Sequence, residues 1–297
     1  MNQKFVLTGG TGFIGRNIIA ELTNRGAAVF IVSRPSERLL GLRQQWPNIQ
    51  IIPWTLLTSE LAHNVAAVGP DCIIHLAAYY HRDHTAKHLD DLVDSNLKLG
   101  LTMLESARIC GCPKFVHAGT GWQDSGKFGE AVNLYAATKT AFAKLVDFYC
   151  AAYGLNAISL LLSDTYGPKD DRQKFLNALR RAWLLNKTMS ASGGEQEIEL
   201  VHAADVAKAF AAASQMPLEG NHSRAFSLPS EGKISLRDLV DKVNAVIPRP
   251  VSVNWGDRPY APNEVFHTFN RAAPLPNWSP SIRLSDGLRD FFLEEVE

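Results

Sequence analysis

Phe5-Val6-Leu7-Thr8-Gly9-Gly10-Thr11-Gly12-Phe13-Ile14-Gly15 runs from a short apolar stretch through glycines into a segment of helical period that continues to residue 25. Gly9, Gly12 and Gly15 make the pattern G-x-x-G-x-x-G. Glycines alone punctuate ordinary turns. Directly after a strand and at the start of a helix they serve a narrower purpose. Small residues there let the backbone turn tightly and approach a pyrophosphate, which would sit over the helix N-terminus, and Gly15 lets the helix pack close to the strand. The stretch predicts a dinucleotide site on the first βα turn.

Outward from that turn, buried strands are predicted at residues 28–32, 49–52, 72–76, 115–116 and 157–162. Helices are predicted at 36–45, 92–109 and 136–153. Near-continuous apolar strands alternating with amphipathic helices argue an α/β fold with a doubly wound parallel sheet covered on both faces. After Tyr166-Gly167-Pro168 the texture changes. Helices at 172–185 and 205–214 and short strands at 198–201 and 225–228 lead into a Pro- and Gly-rich stretch from 248 to 280. The expected organisation is a nucleotide-binding domain over 1–165 and a smaller, loop-rich substrate lobe over 166–297, whose elements can interleave with the first domain.

The chain has 297 residues, 46% hydrophobic and 20% charged, enough for a full core without disulfide or metal support. Thirty Lys and Arg balance thirty Asp and Glu, which leaves no basic footprint for nucleic acid or an anionic membrane. Its apolar runs fall short of the roughly 20 residues of a membrane span. No signal-like segment is read at the start, and four scattered cysteines (Cys72, Cys110, Cys112, Cys150) form no disulfide framework or zinc spacing. The expectation is a soluble cytoplasmic protein with no metal site and neither nucleic acid nor membrane as partner.

Two further stretches carry chemistry. The second strand ends Val32-Ser33-Arg34-Pro35, without the acid that accepts a hydrogen bond from an NAD ribose. Arg34 can pair with a 2′-phosphate and Ser33 can hydrogen-bond it, so NADP(H) is the expected cofactor, with NAD(H) the alternative. The other reading of Arg34 is a solvated loop residue. Tyr135-Ala136-Ala137-Thr138-Lys139 places a phenol and an ammonium at i and i+4, on one helix face. A lysine there is expected to lower the tyrosine pKa towards working pH and make a general acid/base.

With the glycine loop and Tyr-x-x-x-Lys in this order, the chain resembles the extended short-chain dehydrogenase/reductases of the nucleotide-sugar epimerase/dehydratase/reductase group, over essentially its whole length. The resemblance implies a Rossmann-type domain, with Gly9, Thr11, Gly12, Phe13, Ile14, Ser33, Arg34, Leu76, Ala77, Ala78, Tyr135, Lys139 and Thr165 at the cofactor. His75-Leu76-Ala77-Ala78 matches the strand-four segment beside it, and Asn96 the helix asparagine further on. In Phe115-Val116-His117-Ala118-Gly119-Thr120 the last residue is the expected hydroxyl that holds a substrate carbonyl beside Tyr135. Tyr80, Trp122 and Arg258 complete the expected substrate contacts. The resemblance also implies hydride passage between nicotinamide C4 and a sugar carbon, and a homodimer formed through helices 92–109 and 136–153.

Departures from that pattern narrow the reaction. Dehydratases of the group carry Asp-Glu after the catalytic Thr, whereas Thr120 is followed by Gly121-Trp122-Gln123. Ile198 and Ala261 stand where relatives place arginines for the nucleotide diphosphate; Arg258, Arg172 or Lys174 are the expected substitutes. His81, His84 and His88 read as a solvated or substrate-contacting loop. The expected function is NADPH-dependent reduction of a nucleotide-linked 4-keto-6-deoxy sugar. The alternatives are a nucleotide-sugar epimerase, a reductase of a small carbonyl compound, or a non-catalytic NADP sensor.

Overall fold

A computed structural model describes residues 2–54, 57–126, 129–218, 220, 222–262, 264–268 and 271–294. Its strands are β1 (Lys4–Thr8), β2 (Ala28–Ser33), β3 (Gln50–Pro53), β4 (Cys72–His75), β5 (Phe115–Thr120), β6 (Ala157–Leu162), β7 (Asp164–Tyr166), β8 (Met189–Ala191), β9 (Glu197–His202), β10 (Arg224–Ser227), β11 (Lys233–Ser235), β12 (Val253–Trp255) and β13 (Ala273–Pro274). Eight of them form one sheet in the order β13-β10-β6-β5-β4-β1-β2-β3. Every pairing in that sheet is parallel.

Helices cover both faces because these strands are apolar on both sides. On one face lie α1 (Phe13–Asn24), α2 (Glu37–Gln45) and α8 (Ala203–Gln215), with Ile18, Ile19 and Leu22 packed against Val206 and Phe210. On the other lie α3 (Thr58–Val68), α5 (Leu99–Cys110) and α6 (Leu134–Tyr153), around Leu61, Met103, Phe142 and Val146. Each fully buried Leu, Ile or Phe contributes roughly 1.5–3 kcal/mol from its apolar surface. A third core, of Leu179, Leu239, Leu288, Phe291 and Phe292 among others, joins α7 (Phe175–Leu184), α9 (Leu236–Asn244) and α10 (Leu284–Leu293) over the small sheet β11-β9-β7. The strands β12 and β8 pair separately.

Residue 165 does not divide the large sheet. Both β10 and β13 come from the second half of the chain, and β10 pairs with β6. Helix α8 returns to pack beside α1. The chain beyond residue 165 is therefore partly lobe and partly sheet.

The helix predicted at 92–109 begins earlier. The short α4 (Leu89–Val93) passes through a π turn (Asp94–Lys98) into α5 without a break. Helix α3 was not anticipated from the sequence. It ends at Gly69 in the left-handed conformation and buries Leu61, Ala62 and Val65. Among the described residues no helix is long and apolar enough to cross a membrane.

Candidate active site

The glycine loop turns at the carboxyl end of β1. Gly9 has φ +74°, and a Cβ on it would lie 2.7 Å from the Ala77 amide nitrogen. A Cβ on Gly15 would lie 2.2 Å from the Gly9 carbonyl oxygen, so helix and loop meet at backbone distance. The Gly12 amide donates to the Gly9 carbonyl at 3.0 Å and Gly12 opens α1. No side chain caps that helix and no acid occupies its first turn. A Cβ on Gly12 would meet only the Gly9 carbonyl, at 3.3 Å. Free first-turn N–H groups facing open space are what a pyrophosphate requires, and these residues fit a dinucleotide.

Thr8 fastens the neighbouring strand to this loop. Its hydroxyl accepts from the amides of Leu76 and Ala77 at 3.2 and 3.1 Å and lies 2.8 Å from His75 Nδ1. With both acceptor positions taken, the Thr8 proton goes to Nδ1, and His75 is the Nε2–H tautomer. Burial holds its pKa well below the usual histidine value, with Lys139 adding to the effect. Leu76 and Ala77 thus border the glycine loop, with Ala78 next in the chain.

Phe13 lies under the Arg172 guanidinium at 4.4 Å, and Ile14 packs against the core beside α1. The Thr11 carbonyl accepts from Arg16 Nη1 at 3.1 Å. At the end of β2 the Ser33 hydroxyl donates to the Arg34 carbonyl at 2.9 Å, and the exposed Arg34 guanidinium lies 4.9 Å from the centre of the Trp54 ring.

Tyr135 and Lys139 sit in the first turns of α6, which Asn133 caps by accepting from the Ala136 amide at 2.9 Å. Lys139 is 3% exposed, and its Nζ donates to the Ala118 carbonyl at 3.0 Å and lies 6.0 Å from the centre of the Tyr135 ring. Burial brings Lys139 down to about 8.

Tyr135 departs from expectation. Burial pushes its phenol up to about 12, with Tyr80 adding to the rise. The phenol stands protonated, as a donor.

Thr120 ends β5 and caps the turn Gly121–Gln123. Its hydroxyl accepts from the Trp122 amide at 3.3 Å, while Gln123 Oε1 accepts from the Thr120 amide at 2.8 Å. Tyr80 lies edge-on to Tyr135 at 5.1 Å and 6.1 Å from Trp122, so the three aromatic rings are gathered. The π turn explains the place of Asn96. Its Oδ1 accepts from the Tyr79 amide at 2.7 Å, and its Nδ2 donates to the Tyr79 carbonyl and, at 2.9 Å, to the Thr138 hydroxyl. Thr138 in turn donates to the Tyr135 carbonyl at 2.7 Å. One buried amide therefore ties the loop carrying Tyr80 to the helix carrying Tyr135.

A cleft of about 680 Å³ opens beside Trp122 and includes Lys174, Ile198, Arg258, Tyr260 and Glu264 on its walls. Ala261 also lines it. Lys174 pairs with Asp164 at 2.6 Å, and Arg82 with Glu264 at 3.1 Å. Arg172 is not a cleft residue. It is held by Asp170, donates to the Thr165 hydroxyl at 3.0 Å and stacks on Phe13, on the cofactor side. The Thr165 hydroxyl is thereby engaged by protein. His81 stacks on His88 at 3.7 Å, and His88 Nδ1 accepts from the Thr85 amide. Among the described residues no group of His, Cys, Asp and Glu is arranged to hold a metal ion.

A profile described as the NAD dependent epimerase/dehydratase family matches residues 5–228. The chain belongs to that family. It is an NAD(P)-dependent enzyme of the extended short-chain dehydrogenase/reductase type, and the family accounts for a nicotinamide cofactor. CDP-abequose synthase from Yersinia pseudotuberculosis is 27% identical over 299 residues, covering 99% of this chain and 100% of that protein. The dTDP-4-dehydro-6-deoxyglucose reductase of Escherichia coli is 23% identical, over 95% of this chain and 94% of that one. Among solved structures, the UDP-glucose 4-epimerase of Thermus thermophilus in complex with NAD superposes with a TM-score of 0.83 at 22% identity, over 98% of each chain. That likeness establishes the Rossmann-type fold for this family member.

Sequence reasoning missed Trp54 and the Arg82–Glu264 pair. Both depend on residues far apart in the chain, and the only local signal was an aromatic residue two positions after a predicted strand.

Proposed function

We propose that this enzyme reduces a nucleotide-linked 4-keto-6-deoxy sugar with NADPH. The observation that carries the reading is geometric: the Tyr135 phenol is gathered with the Tyr80 and Trp122 rings, with the buried Lys139 ammonium 6.0 Å from its ring centre. A neutral phenol at rest is ready to give a proton to a ketone oxygen, which reduction requires. NADPH, when bound, supplies the hydride. Thr120 retains its hydroxyl proton for the same oxygen, because the Trp122 amide uses only an acceptor position. Lys139 holds positive charge behind Tyr135 and stabilises the phenolate left after proton transfer.

Gln123 is bound to the Thr120 amide and offers no acid or base for loss of water, which supports reduction over dehydration. Arg34, exposed beyond β2, supports NADPH over NADH. Arg258 is the cleft cation proposed to meet the substrate diphosphate, since Lys174 and Arg82 are already paired. The names of the CDP- and dTDP-linked relatives support a nucleotide sugar as substrate, and a reduced 6-deoxy product. Leu101, Ile109, Phe148 and Tyr153 are exposed apolar residues on α5 and α6, which supports a homodimer through those helices.

The test is purified enzyme with NADPH and CDP-, dTDP-, GDP- and UDP-linked 4-keto-6-deoxy sugars, followed by loss of the reduced-nicotinamide absorbance. Turnover with at least one donor is expected. Absence of turnover with all four overturns the substrate assignment. A second reading, epimerisation, is favoured by the fold likeness to UDP-glucose 4-epimerase; it predicts a changed sugar with no net loss of reduced cofactor.

A further inference from the structure

The ends of β2 and β3 place two side chains together that no local motif connects. Their parallel register closes at Ser33 opposite Pro53, and the Trp54 amide extends it by donating to the Ser33 carbonyl at 2.9 Å. Arg34 and Trp54 therefore lie side by side just beyond the carboxyl ends of the strands, on the sheet edge where the glycine loop opens. Trp54 is partly buried and packs against the core under α3 and α5. Arg34 is exposed, with its guanidinium carbon 4.9 Å from the indole centre.

We propose that Trp54 is a specificity-determining residue for the cofactor: by holding the Arg34 guanidinium over its ring, it prepares Arg34 for a phosphate monoester on the ribose of the dinucleotide. The inference rests on the NADPH reading above. A cation–π contact uses none of the guanidinium N–H donors, which stay available to grip a phosphate through two hydrogen bonds. An arginine already ordered by its neighbour loses less side-chain freedom on binding.

The neighbouring cations are committed elsewhere. Arg38 pairs with Asp171 at 2.9 Å, and Arg16 lies 3.7 Å from the same carboxylate. Among the described residues Arg34 has no carboxylate partner. It is the cation left to receive a dianion at this edge.

Calorimetric titration of NADPH and NADH into the wild-type enzyme and into the Trp54→Ala, Trp54→Phe and Arg34→Ala variants tests this directly. The wild type is expected to prefer NADPH by about thirtyfold, the scale of hydrogen bonds to a charged group. Trp54→Ala is expected to weaken NADPH about fivefold, the scale of one cation–π contact, and to leave NADH within about twofold. Trp54→Phe keeps a ring and should restore most of the loss. In an Arg34→Ala background, Trp54→Ala should have no further effect on NADPH.

Equal weakening of NADPH and NADH by Trp54→Ala, with the Phe variant normal, would make Trp54 a platform for the adenine and overturn the inference. So would a full NADPH preference in Trp54→Ala. Equal wild-type affinity for the two cofactors overturns the NADPH reading itself, and this inference with it.

Discussion

The candidate cofactor groove at the glycine loop has decisive distances that run between backbone atoms: Gly9 against Ala77, Gly15 against the Gly9 carbonyl. The candidate substrate cleft beside Trp122 has walls of side chains on loops and strand ends, with Arg82 held by Glu264 and Lys174 by Asp164. The groove recognises a feature common to all dinucleotides, so close backbone approach suffices and substitution there meets hard contacts. The cleft has to recognise one substrate among many. Side chains can be exchanged there without disturbing the sheet, as Ile198 and Ala261 illustrate. A single scaffold can therefore keep its cofactor while its substrate changes.

Tyr135 is the proposed proton donor, and its loss should have the largest effect. Tyr135→Phe removes the proton donor and nothing else from the packed ring. Turnover should fall about a thousandfold, within the range for general acid catalysis, with NADPH affinity unchanged. Retention of more than a tenth of the rate would place the donor elsewhere.

The groove can be broken alone. Gly15→Val drives a branched side chain into the Gly9 carbonyl, and should weaken both NADPH and NADH about thirtyfold and destabilise the fold by about 1–3 kcal/mol. Calorimetry and thermal melting measure the two effects. Normal cofactor binding in this variant would contradict backbone contact as the basis of the groove.

Acidity sharpens the comparison further. Lys139 is brought down to about 8, so it is charged below that pH and loses its charge as pH rises through it. Tyr135, pushed up to about 12, stays protonated over the same range. The rate constant at saturating substrates should be flat below pH 8 and fall about tenfold by about pH 9, with one inflection. A fall on the acid side of 8 would mean that another group controls the reaction.

The cleft should yield the smallest and most selective change. Arg258→Ala should raise KM for the sugar nucleotide about fivefold, the loss of a partly solvated charged hydrogen bond, with kcat and the NADPH affinity kept. A change in NADPH affinity would show that the two regions are not separate.

The same contrast decides what could be read from the sequence. The glycine loop and the Tyr135–Lys139 pair were legible because each depends on residues within one turn, at spacings that backbone geometry enforces. Thr120 and Asn96 entered through resemblance, and the structure adds what Asn96 does, through a π turn that no periodicity announces. The return of β10 and β13 to the large sheet was not legible, because their short strands carry no alternation that names a partner. The expected fall in the Tyr135 pKa considered its neighbour four residues away and omitted the burial of the whole pocket, which is the larger effect. Arg172 was expected to reach the substrate pocket, but Asp170, Thr165 and Phe13 hold it against the start of α1.

The most direct test of net reduction traces a deuterium label. The enzyme is given NADPH carrying deuterium at nicotinamide C4 and a turned-over 4-keto-6-deoxy sugar nucleotide, and the product is examined by NMR. Reduction predicts deuterium on the new carbinol carbon and one NADPH oxidised for each sugar reduced. A product formed without label while NADPH remains undiminished would contradict it and identify an epimerase.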